Sequence, residues 1–471
     1  MKPMTLEQVA RATGGRIVGV PATPPVIDAV ATDTRTLSAN GAGVLFVALQ
    51  GERFDGHDHV AAAADAGVGA VLVSRELDVA VPQVVVADTT RGLADLAAAA
   101  QHDRPGKVVA ITGSNGKTSV KALVLSILQR VGNAYANPGN RNNEIGLPLA
   151  VLDAPEDADF SIYEMGAGKP GDIAYLTAVV RPDVSLVNNI APAHLERMGS
   201  LLGVADTKAA IYDALPAGGV AVINTDDAFA PYFAERAHGR RLLRFGIEGN
   251  ADVRARDIRA DATGSRFVLV TPLGEAEVEL GLPGRHNVRN ALAAASLALG
   301  AGAGLADVVA GLQAARAVAG RLVSHRLATG TTLVDDSYNA NPGSLQAAIE
   351  TLAASGQSAW LVLGDMRELG DDAAALHAEA GRHARASGIA RLYALGPLAA
   401  EAARAFGEAG HVFEGHGALA QALARDIAAE AAPTGSAGAL IVLVKGSRGS
   451  AMDRIVAALL ASHGEGGANA A

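Results

Sequence analysis

Cysteine is absent from the 471-residue sequence, and aromatic residues make up only 4% of it. The lack of cysteine excludes disulfides, thiolate nucleophiles and cysteine-based zinc sites. Basic residues are in the minority, because 39 Lys and Arg stand against 49 Asp and Glu and the net charge is −10. Nucleic-acid-binding surfaces need clustered basic residues for phosphate contacts, so we expect no nucleic-acid partner.

Long apolar runs are missing too. The most lipid-like stretch, residues 291–309, is interrupted by Gly300, Gly302 and Gly304 and carries Asp307. This composition predicts a small-residue helix that packs closely inside the protein, and no membrane span. The N-terminal sequence MKPMTLEQVARATGG has no apolar core of the signal-peptide type, so we expect a soluble protein of the cytoplasm.

The most informative motif is a Gly-rich loop between an apolar strand pattern, 108–111, and a helix-compatible segment, 120–128. The loop consists of Gly113, Ser114, Asn115, Gly116, Lys117, Thr118 and Ser119. Glycines let backbone N–H groups surround phosphate oxygens, the Lys117 ammonium can neutralise terminal phosphates, and the Thr118 hydroxyl can hold Mg²⁺. Ile111 occupies the position of the first glycine of the usual P-loop, and the alternative is a tight strand–turn–helix connection with an incidental lysine. The motif predicts that the chain binds a nucleoside triphosphate.

The remaining composition is typical of a globular protein, with 49% hydrophobic and 19% charged residues. Apolar strands alternate with helical patterns, which predicts an α/β fold, and the length predicts about three domains. We expect a small N-terminal α/β domain (1–103), a central P-loop ATPase domain with a parallel sheet (104–320) and a C-terminal Rossmann-like α/β domain (321–471). Charged and β-branched residues alternate over 251–282, which indicates a hairpin or β-meander there.

Three further residues of the central domain are candidates for chemistry. Glu164 ends a predicted strand, 160–164, and a carboxylate at that position commonly holds Mg²⁺ or its water in P-loop proteins. Together with Thr118 it forms a predicted magnesium site, the alternative being a solvated loop glutamate. His194 and Lys208 follow, and taken singly they are a structural histidine and an ordinary helix-surface lysine.

Beyond these residues, ordered sequence blocks run through the chain. They are DTR (33–35), FVAL (46–49), DGH (55–57), GSNGKTS (113–119), GNRNNEIG (139–146), EMG (164–166), NIAPAHLE (189–196), GRHNVRN (284–290), GRL (320–322), DDSYNANP (335–342), LGDMRELG (363–370) and KGSR (445–448). By these blocks the sequence resembles the Mur ligase family, ATP-dependent amide ligases of cell-wall precursor synthesis. The DDSYNANP and LGDMRELG blocks point to the branch that joins D-alanyl-D-alanine to UDP-N-acetylmuramoyl-tripeptide.

The resemblance implies a reaction in which the γ-phosphate of ATP passes to a peptide carboxylate and an amine then attacks the acyl phosphate. The protein must therefore align two anions and neutralise their charge, with ATP and two Mg²⁺ ions. In the family, a lysine at the position of Lys208 is carbamylated and helps to hold the second ion together with the residue matching His194. A carbamate replaces a repelling ammonium by an anionic oxygen, and it requires the neutral amine first. Ala209-Ala210 follow Lys208 where Gly-Glu is common in the family.

The same resemblance implies contacts for ATP. Asn287 and Asn290 share a helical face and would read the adenine edge, while Arg321 would reach the γ-phosphate and Asp336 would bind the ribose. The catalytic residues implied are Lys117, His194, Lys208 and Arg321. Because ATP contacts lie on both sides of residue 320, we expect a hinge there and catalysis in a closed form.

Substrate contacts are also implied by the resemblance. The candidates are Thr34, Arg35, Asp55, Gly56 and His57 for the uridine diphosphate, Asn140 and Asn143 for the nucleotide-sugar portion, and Asn339, Asn341, Lys445, Ser447 and Arg448 for the dipeptide. From the residues alone, Thr34-Arg35 and the KGSR block can also be polar turns with solvated cations. His59 and Asn137 stand where the family usually has an aromatic residue and a threonine. The third residue of the peptide, meso-diaminopimelate or lysine, stays open, and we expect a monomer.

Two alternative functions are compatible with a P-loop domain. Folylpolyglutamate synthase shares the ATP core, but it is not expected to carry the DGH block at 55–57 or the NANP block at 339–342. A regulatory P-loop protein that binds nucleotide and makes nothing would leave Glu164, His194 and Lys208 without a role. Phosphate release that needs an acyl acceptor and an amine together would distinguish the ligase from the regulatory protein.

Overall fold

The structure is a computed structural model that describes residues 1–19, 23–37, 41–192, 195–261, 264–430 and 440–463. These residues form three larger sheets with helices packed on them and one small two-stranded sheet. The α/β fold predicted from the alternation of strands and helices is therefore confirmed. None of the helices in these ranges is long and apolar enough to cross a membrane.

The N-terminal part is built on a five-stranded sheet. The strands of this part, including two that lie outside the sheet, are β1 (Met4–Thr5), β2 (Arg16–Val18), β3 (Val26–Ile27), β4 (Ala29–Ala31), β5 (Val44–Val47), β6 (Ala70–Val73) and β7 (Gln83–Val85). Its helices are α1 (Leu6–Thr13), α2 (Val60–Asp65) and α3 (Thr89–His102), with 3-10 turns at Thr34–Thr36, Gly41–Gly43 and Gly56–His59. The strand order is β2-β7-β6-β5-β4, parallel except for β2, and β1 pairs with β3 apart from it.

The central part contains a nine-stranded sheet. Its strands are β8 (Lys107–Thr112), β9 (Ala134–Ala136), β10 (Phe160–Glu164), β11 (Val184–Val187), β12 (Val220–Asn224), β13 (Arg241–Gly246), β14 (Val253–Ala260), β15 (Ser265–Thr271) and β16 (Gly274–Leu280). Its helices are α4 (Lys117–Leu128), α5 (Gly146–Asp153), α6 (Asp172–Val180), α7 (Leu195–Met198), α8 (Leu201–Asp213), α9 (Ala230–Arg236), α10 (Arg285–Ala301) and α11 (Leu305–Ala314). The order is β16-β15-β14-β13-β12-β11-β8-β10-β9. Strands β14, β15 and β16 are antiparallel neighbours, which confirms the predicted meander.

The C-terminal part contains a six-stranded sheet. Its strands are β17 (Val323–Arg326), β18 (Thr332–Asp336), β19 (Ser358–Gly364), β20 (Arg391–Leu395), β21 (Gly410–Phe413) and β22 (Leu440–Lys445). Its helices are α12 (Pro342–Ala353), α13 (Ala373–Ala386), α14 (Ala399–Phe406), α15 (His416–Glu430) and α16 (Asp453–His463), with 3-10 turns at Gly370–Asp372 and Arg448–Ser450. The order is β17-β18-β22-β19-β20-β21, and only β17 runs antiparallel to its neighbour.

The burial of the central strands explains why the parallel sheets could be predicted from the sequence. Residues Val109, Ala110 and Ile111 of β8 are fully buried, because helices cover both faces of a parallel sheet and favour continuous apolar runs. Helix α10, rich in alanine, is buried over most of its length against the central sheet and ends at Gly302, whose φ is 102°. The stretch that looked most lipid-like, residues 291–309, packs inside the protein as predicted, but it is not one helix: α10 ends before Gly302 and α11 begins at Leu305.

Candidate active site

A cleft of about 1220 Å³ opens at the carboxyl ends of the central parallel strands. Strand β8 lies between β10 and β11: β9 and β10 lie on one side of it, and the chain then crosses to add β11 and β12 on the other. Such a switch point is where open α/β sheets place their ligands. Residues from the N-terminal, central and C-terminal parts all line the cleft.

The Gly-rich loop forms the floor of this cleft and leads directly into α4. Gly113 and Gly116 have φ angles of 145° and 78°, which favour glycine. A Cβ atom on Gly116 would lie 2.5 Å from Oδ1 of Asn290 and 2.6 Å from Nδ2 of Asn188, so a larger residue would displace these side chains. Asn189 holds the loop, accepting from Ser114 N through its carbonyl at 2.9 Å and from the next backbone N–H through its side chain at 2.8 Å. The loop and the first backbone N–H groups of α4 consequently form a fixed site that can bind an anion.

Lys117 begins α4, three residues before the predicted helix start. Its ammonium donates to the carbonyl of Gly113 at 2.8 Å and lies against the loop that would hold the phosphates. Burial lowers the pKa of Lys117, with Arg321 acting in the same direction and Glu164 opposing. An anionic ligand would offset that burial cost, as expected of a phosphate-binding lysine.

Glu164 lies at the end of β10 and is buried. Burial alone would raise its pKa, but the ammonium groups of Lys117 and Lys121 and hydrogen bonds from Asn142 and Thr118 outweigh it, so the pKa is lowered. Oε1 accepts from Asn142 at 3.0 Å, whereas buried Oε2 has no hydrogen bond from the described residues. Oε2 instead pairs with the Lys121 ammonium at 3.3 Å. An ionised carboxylate beside a threonine hydroxyl is a suitable donor pair for Mg²⁺.

Lys208 lies on α8 and is 1% exposed, yet it contributes to the cleft wall. Burial and the nearby Lys117 ammonium lower its pKa to about 7, while Asp172 opposes the shift. A neutral amine is therefore accessible near neutral pH. The predicted partner His194 lies outside the described residues. Within the described ranges, no group of three His, Cys, Asp or Glu side chains is arranged to hold a metal ion.

The two asparagines predicted to read adenine lie at the start of α10 and line the cleft. Asn287 donates to the carbonyl of Pro283 at 2.8 Å, and Asn290 donates to Oδ1 of Asn287 at 3.3 Å. Asn290 in turn accepts from Asn188 at 3.2 Å. In this structure their amides bond to each other. Through Asn188, which also donates to the carbonyl of Asn115, they are connected to the Gly-rich loop.

Arg321 reaches from the C-terminal part to the loop, where Nη2 donates to the Thr118 hydroxyl at 3.3 Å. Its guanidinium carbon lies 4.4 Å from the ring centre of Tyr338, and that of Arg448 lies 5.6 Å from the same ring. Tyr338 was missed by sequence reasoning, although it is the one aromatic residue of the DDSYNANP block. Asp336 of the same block is buried and ion-paired with Lys445.

Asn341 forms a second contact between the C-terminal part and the loop. Its side chain caps α12 by accepting from Ser344 N at 2.9 Å, and it donates to Oδ1 of Asn115 at 2.6 Å. A Cβ atom on Gly343 would lie 3.3 Å from Nδ2 of Asn115. The start of α12 is thus packed tightly against the nucleotide loop.

Most predicted site residues of the central and C-terminal parts line the same cleft. Ser447 is an exception among the described ones, since it is buried and its hydroxyl donates to the carbonyl of Ala340. Lys121 was not predicted, although its ammonium lies 3.3 Å from Oε2 of Glu164. Its spacing of four residues from Lys117 was the available signal, since it places both lysines on one face of α4.

The N-terminal candidates lie elsewhere, at the carboxyl edge of β4 and β5. Asp33 caps the turn that carries Thr34 and pairs with exposed Arg35, which keeps the Asp33 pKa low at about 2. Asp55 caps the turn that begins at Gly56 and binds Nδ1 of His57 at 2.5 Å. None of these residues is among the described ones that line the cleft.

Three family descriptions match the chain in succession. "Mur ligase family, catalytic domain" matches residues 26–105, "Mur ligase middle domain" matches 111–298, and "Mur ligase, glutamate ligase domain" matches 320–448. The chain is 44% identical over 397 residues to UDP-N-acetylmuramoyl-tripeptide–D-alanyl-D-alanine ligase of Escherichia coli K12, covering 84% of this chain and 86% of the relative. The protein of the same name from Mycobacterium tuberculosis H37Rv is 36% identical over 437 residues, covering 84% of each.

Solved structures agree with this similarity. MurF from Acinetobacter baumannii superposes with a TM-score of 0.91 at 34% identity, over 98% of this chain and 99% of that one. MurF ligase from Thermotoga maritima in complex with ADP has a TM-score of 0.78 at 27% identity, over 91% and 96% of the two chains. With three domains matched in order and such identity over most of its length, the chain belongs to the Mur ligase family.

Proposed function

We propose that this protein is an ATP-dependent ligase that joins D-alanyl-D-alanine to UDP-N-acetylmuramoyl-tripeptide. The products are UDP-N-acetylmuramoyl-pentapeptide, ADP and phosphate, and the role is peptidoglycan precursor synthesis. One observation carries the proposal: a single cleft is lined by the Gly-rich loop, Glu164, buried Lys208 and Arg321 from the C-terminal part. The names of the relatives and their identity to this chain supply the substrates.

The chemistry follows from the poor reactivity of a carboxylate, whose leaving group would be oxide. A carboxylate oxygen of the tripeptide attacks the γ-phosphorus of ATP, the bond to ADP breaks, and an acyl phosphate forms. The amine of the dipeptide then attacks the acyl carbon, the carbon–oxygen bond to phosphate breaks, and the amine gives up a proton. Phosphoryl transfer of this kind depends on positioning and on charge neutralisation.

The residues of the cleft fit these tasks. Lys117 and Arg321 would neutralise the triphosphate, and Nε of Arg321 is a buried donor without an acceptor among the described residues. Asn287 and Asn290 would contact adenine after exchanging their mutual bond for the base, and Asp336 would bind the ribose. The loop residues Gly113, Ser114, Asn115, Gly116, Thr118 and Ser119 would surround the phosphates. Thr118 and Glu164 would hold a Mg²⁺ ion, which when bound neutralises phosphate charge.

Lys208 has a different task in this proposal. With a pKa lowered to about 7, its neutral amine can attack CO₂, forming a nitrogen–carbon bond and releasing a proton. The resulting carbamate would supply an anionic oxygen for a second Mg²⁺ ion together with His194. Burial of Lys208 supports this role, because an uncompensated ammonium at that depth is costly.

Substrate binding would use all three domains, with boundaries near residues 103 and 320 and a hinge at the second. Thr34, Arg35, Asp55, Gly56 and His57 would serve the uridine diphosphate, and Asn140 and Asn143 the nucleotide-sugar portion. Asn339, Asn341, Lys445, Ser447 and Arg448 would serve the dipeptide. We place the enzyme in the cytoplasm, where its nucleotide-linked substrates would be made, and we propose that it acts on these small molecules as a monomer.

Phosphate release with ATP and Mg²⁺ tests the proposal, with the two substrates supplied singly and together. Release that requires both, accompanied by a new mass for UDP-N-acetylmuramoyl-pentapeptide, is expected. Phosphate release at the same rate with and without the two substrates would favour a regulatory P-loop protein instead. A folate substrate is disfavoured, since Mycobacterium tuberculosis folylpolyglutamate synthase is only 20% identical, with a TM-score of 0.64, and shows the shared fold alone.

A further inference from the structure

Lys121 is a buried lysine on α4 that the reaction described above does not use. Its ammonium donates to the backbone carbonyls of Asn137 at 2.8 Å and Gly139 at 3.1 Å, and it lies 3.3 Å from Oε2 of Glu164. The two carbonyls thus accept hydrogen bonds from the ammonium, and the Glu164 carboxylate balances its charge. A buried charge is costly unless paired in this way, which makes the position sensitive to substitution.

The two carbonyls belong to a segment that leads into the cleft. Residues 137–143 follow β9, and Asn140 and Asn143 of this segment line the cleft. Lys121 does not line the cleft in the described part of the chain. Lys121 is therefore placed to hold the 137–143 segment from the side that faces away from the cleft.

Asn137 and Asn142 complete the network around Glu164. The side chain of Asn137 donates to the carbonyl of Glu164 at 3.1 Å and to that of Arg141 at 2.8 Å, and it accepts from the backbone N–H of Glu164 at 2.8 Å. Asn142 donates to Oε1 of Glu164 at 3.0 Å. A threonine at position 137 has a single hydroxyl and could not make all three bonds of Asn137. The nucleotide-loop helix, the carboxylate and the 137–143 segment therefore form one bonded unit.

We propose that Lys121 is a positioning residue for the nucleotide-sugar peptide. It fixes the 137–143 segment so that Asn140 and Asn143 face the cleft, and it thereby sets the affinity for the UDP-linked substrate. The inference rests on the proposed function, because the ligand is the UDP-N-acetylmuramoyl-tripeptide of that reaction. Lys121 acts through the backbone of the segment and not by contact with the reacting atoms.

Calorimetric binding to Lys121→Met tests this inference without turnover. UDP-N-acetylmuramoyl-tripeptide should bind about tenfold more weakly or worse, as expected when a charged hydrogen-bond donor to buried carbonyls is lost. ADP should bind within about twofold of wild type, since the Gly-rich loop keeps its own contacts. The matched control is Lys107→Met, because Lys107 also donates to a backbone carbonyl, that of Ala301 at 3.1 Å, but away from the cleft.

A kinetic split gives the second readout. The KM for the UDP-linked substrate should rise in Lys121→Met, while the KM for D-alanyl-D-alanine should not change. Lys121→Gln, which keeps an amide donor, should lie between wild type and the methionine variant and serves if the latter does not fold.

Unchanged affinity for the UDP-linked substrate would overturn the inference. Equal weakening of both ligands would also overturn it, because that result indicates general damage to α4. If wild type itself fails to bind the UDP-linked substrate, the proposed function fails instead, and the two failures are thus distinguishable.

Discussion

Lys208→Met should make the protein more stable at acidic pH while abolishing ligation. Lys208 is 1% exposed, and burial lowers its pKa from 10.5 to about 7. Below that value the lysine is protonated in both the folded and the unfolded chain, so the folded state bears the full cost of the buried charge. At about 1.4 kcal/mol per unit of pKa, this cost is about 5 kcal/mol.

The sign of the pH dependence follows from proton binding. Between the folded pKa near 7 and the unfolded value of 10.5, the unfolded chain binds more protons at this site, so the stability of wild type rises with pH across this window. Methionine has a similar length and no charge, so the advantage of the variant should be greatest below pH 7 and largely gone by about pH 10. At about pH 6, a gain of this size corresponds to a melting temperature roughly 10 °C higher.

Differential scanning calorimetry in CO₂-free buffers at about pH 6 and about pH 10 measures the effect. Lys107→Met is the control, because it removes a lysine outside the cleft and should show no comparable gain at acidic pH. Comparing variants at each pH cancels the titration of all other groups. A melting-temperature advantage that is the same at both pH values, or absent at the lower one, would refute the reasoning.

Three further predictions follow from the contacts in the cleft. Tyr338→Leu should lower kcat about 5- to 30-fold by releasing the stacked Arg321, whereas Tyr338→Phe keeps the ring and should stay near wild type in steady-state assays. Asn341→Ala should lose both the cap of α12 and the bond to Asn115, whereas Asn341→Ser loses only the bond to Asn115. The melting temperature should therefore fall only in Asn341→Ala, and kcat/KM should fall about fivefold in both variants. Lys208→Ala should abolish synthesis, and added short carboxylates should partly restore it; full activity of the unsupplemented variant would remove Lys208 from the mechanism.

The parts of the fold that could be read from sequence are those with one strong local signal. Strands β8, β10 and β20 are mainly apolar, and the structure places them within a residue of the predicted limits. The meander after residue 251 was readable because alternation of polar and apolar residues has the period of a strand. The Gly-rich loop was readable because its backbone conformation needs glycine at Gly113 and Gly116.

Strands with weaker signals were missed. Strand β13 carries exposed Arg241 and Arg244 beside buried Leu243 and Phe245, so its apolar pattern is interrupted by residues typical of a surface loop. Strands β9, β17 and β21 have three or four residues and lie at sheet edges. Strands β9, β13 and β21 are stabilised by pairing with strands from which a helix separates them, and β17 by its hairpin with β18. A local pattern does not contain these pairings.

The site shows the same division. Lys117, Glu164 and Arg321 were predicted from their blocks to share one site, and they line one cleft. The stacking of Arg321 on Tyr338 and the bonds of Lys121 depend on tertiary packing. The mutual bonding of Asn287 and Asn290 was equally invisible, because their spacing is compatible with adenine recognition and with bracing the loop. Residue type and spacing predict which side chains share a site, whereas hydrogen-bond partners and burial determine the role of each side chain in it.

The most direct test of the central claim follows oxygen through the reaction. UDP-N-acetylmuramoyl-tripeptide labelled with ¹⁸O in its reacting carboxylate is incubated with enzyme, ATP, Mg²⁺ and D-alanyl-D-alanine, and the released phosphate is analysed by mass spectrometry. Ligation through an acyl phosphate predicts one labelled oxygen in each phosphate, with phosphate and pentapeptide formed in equal amounts. Unlabelled phosphate, or phosphate released equally well without the dipeptide, would contradict the account.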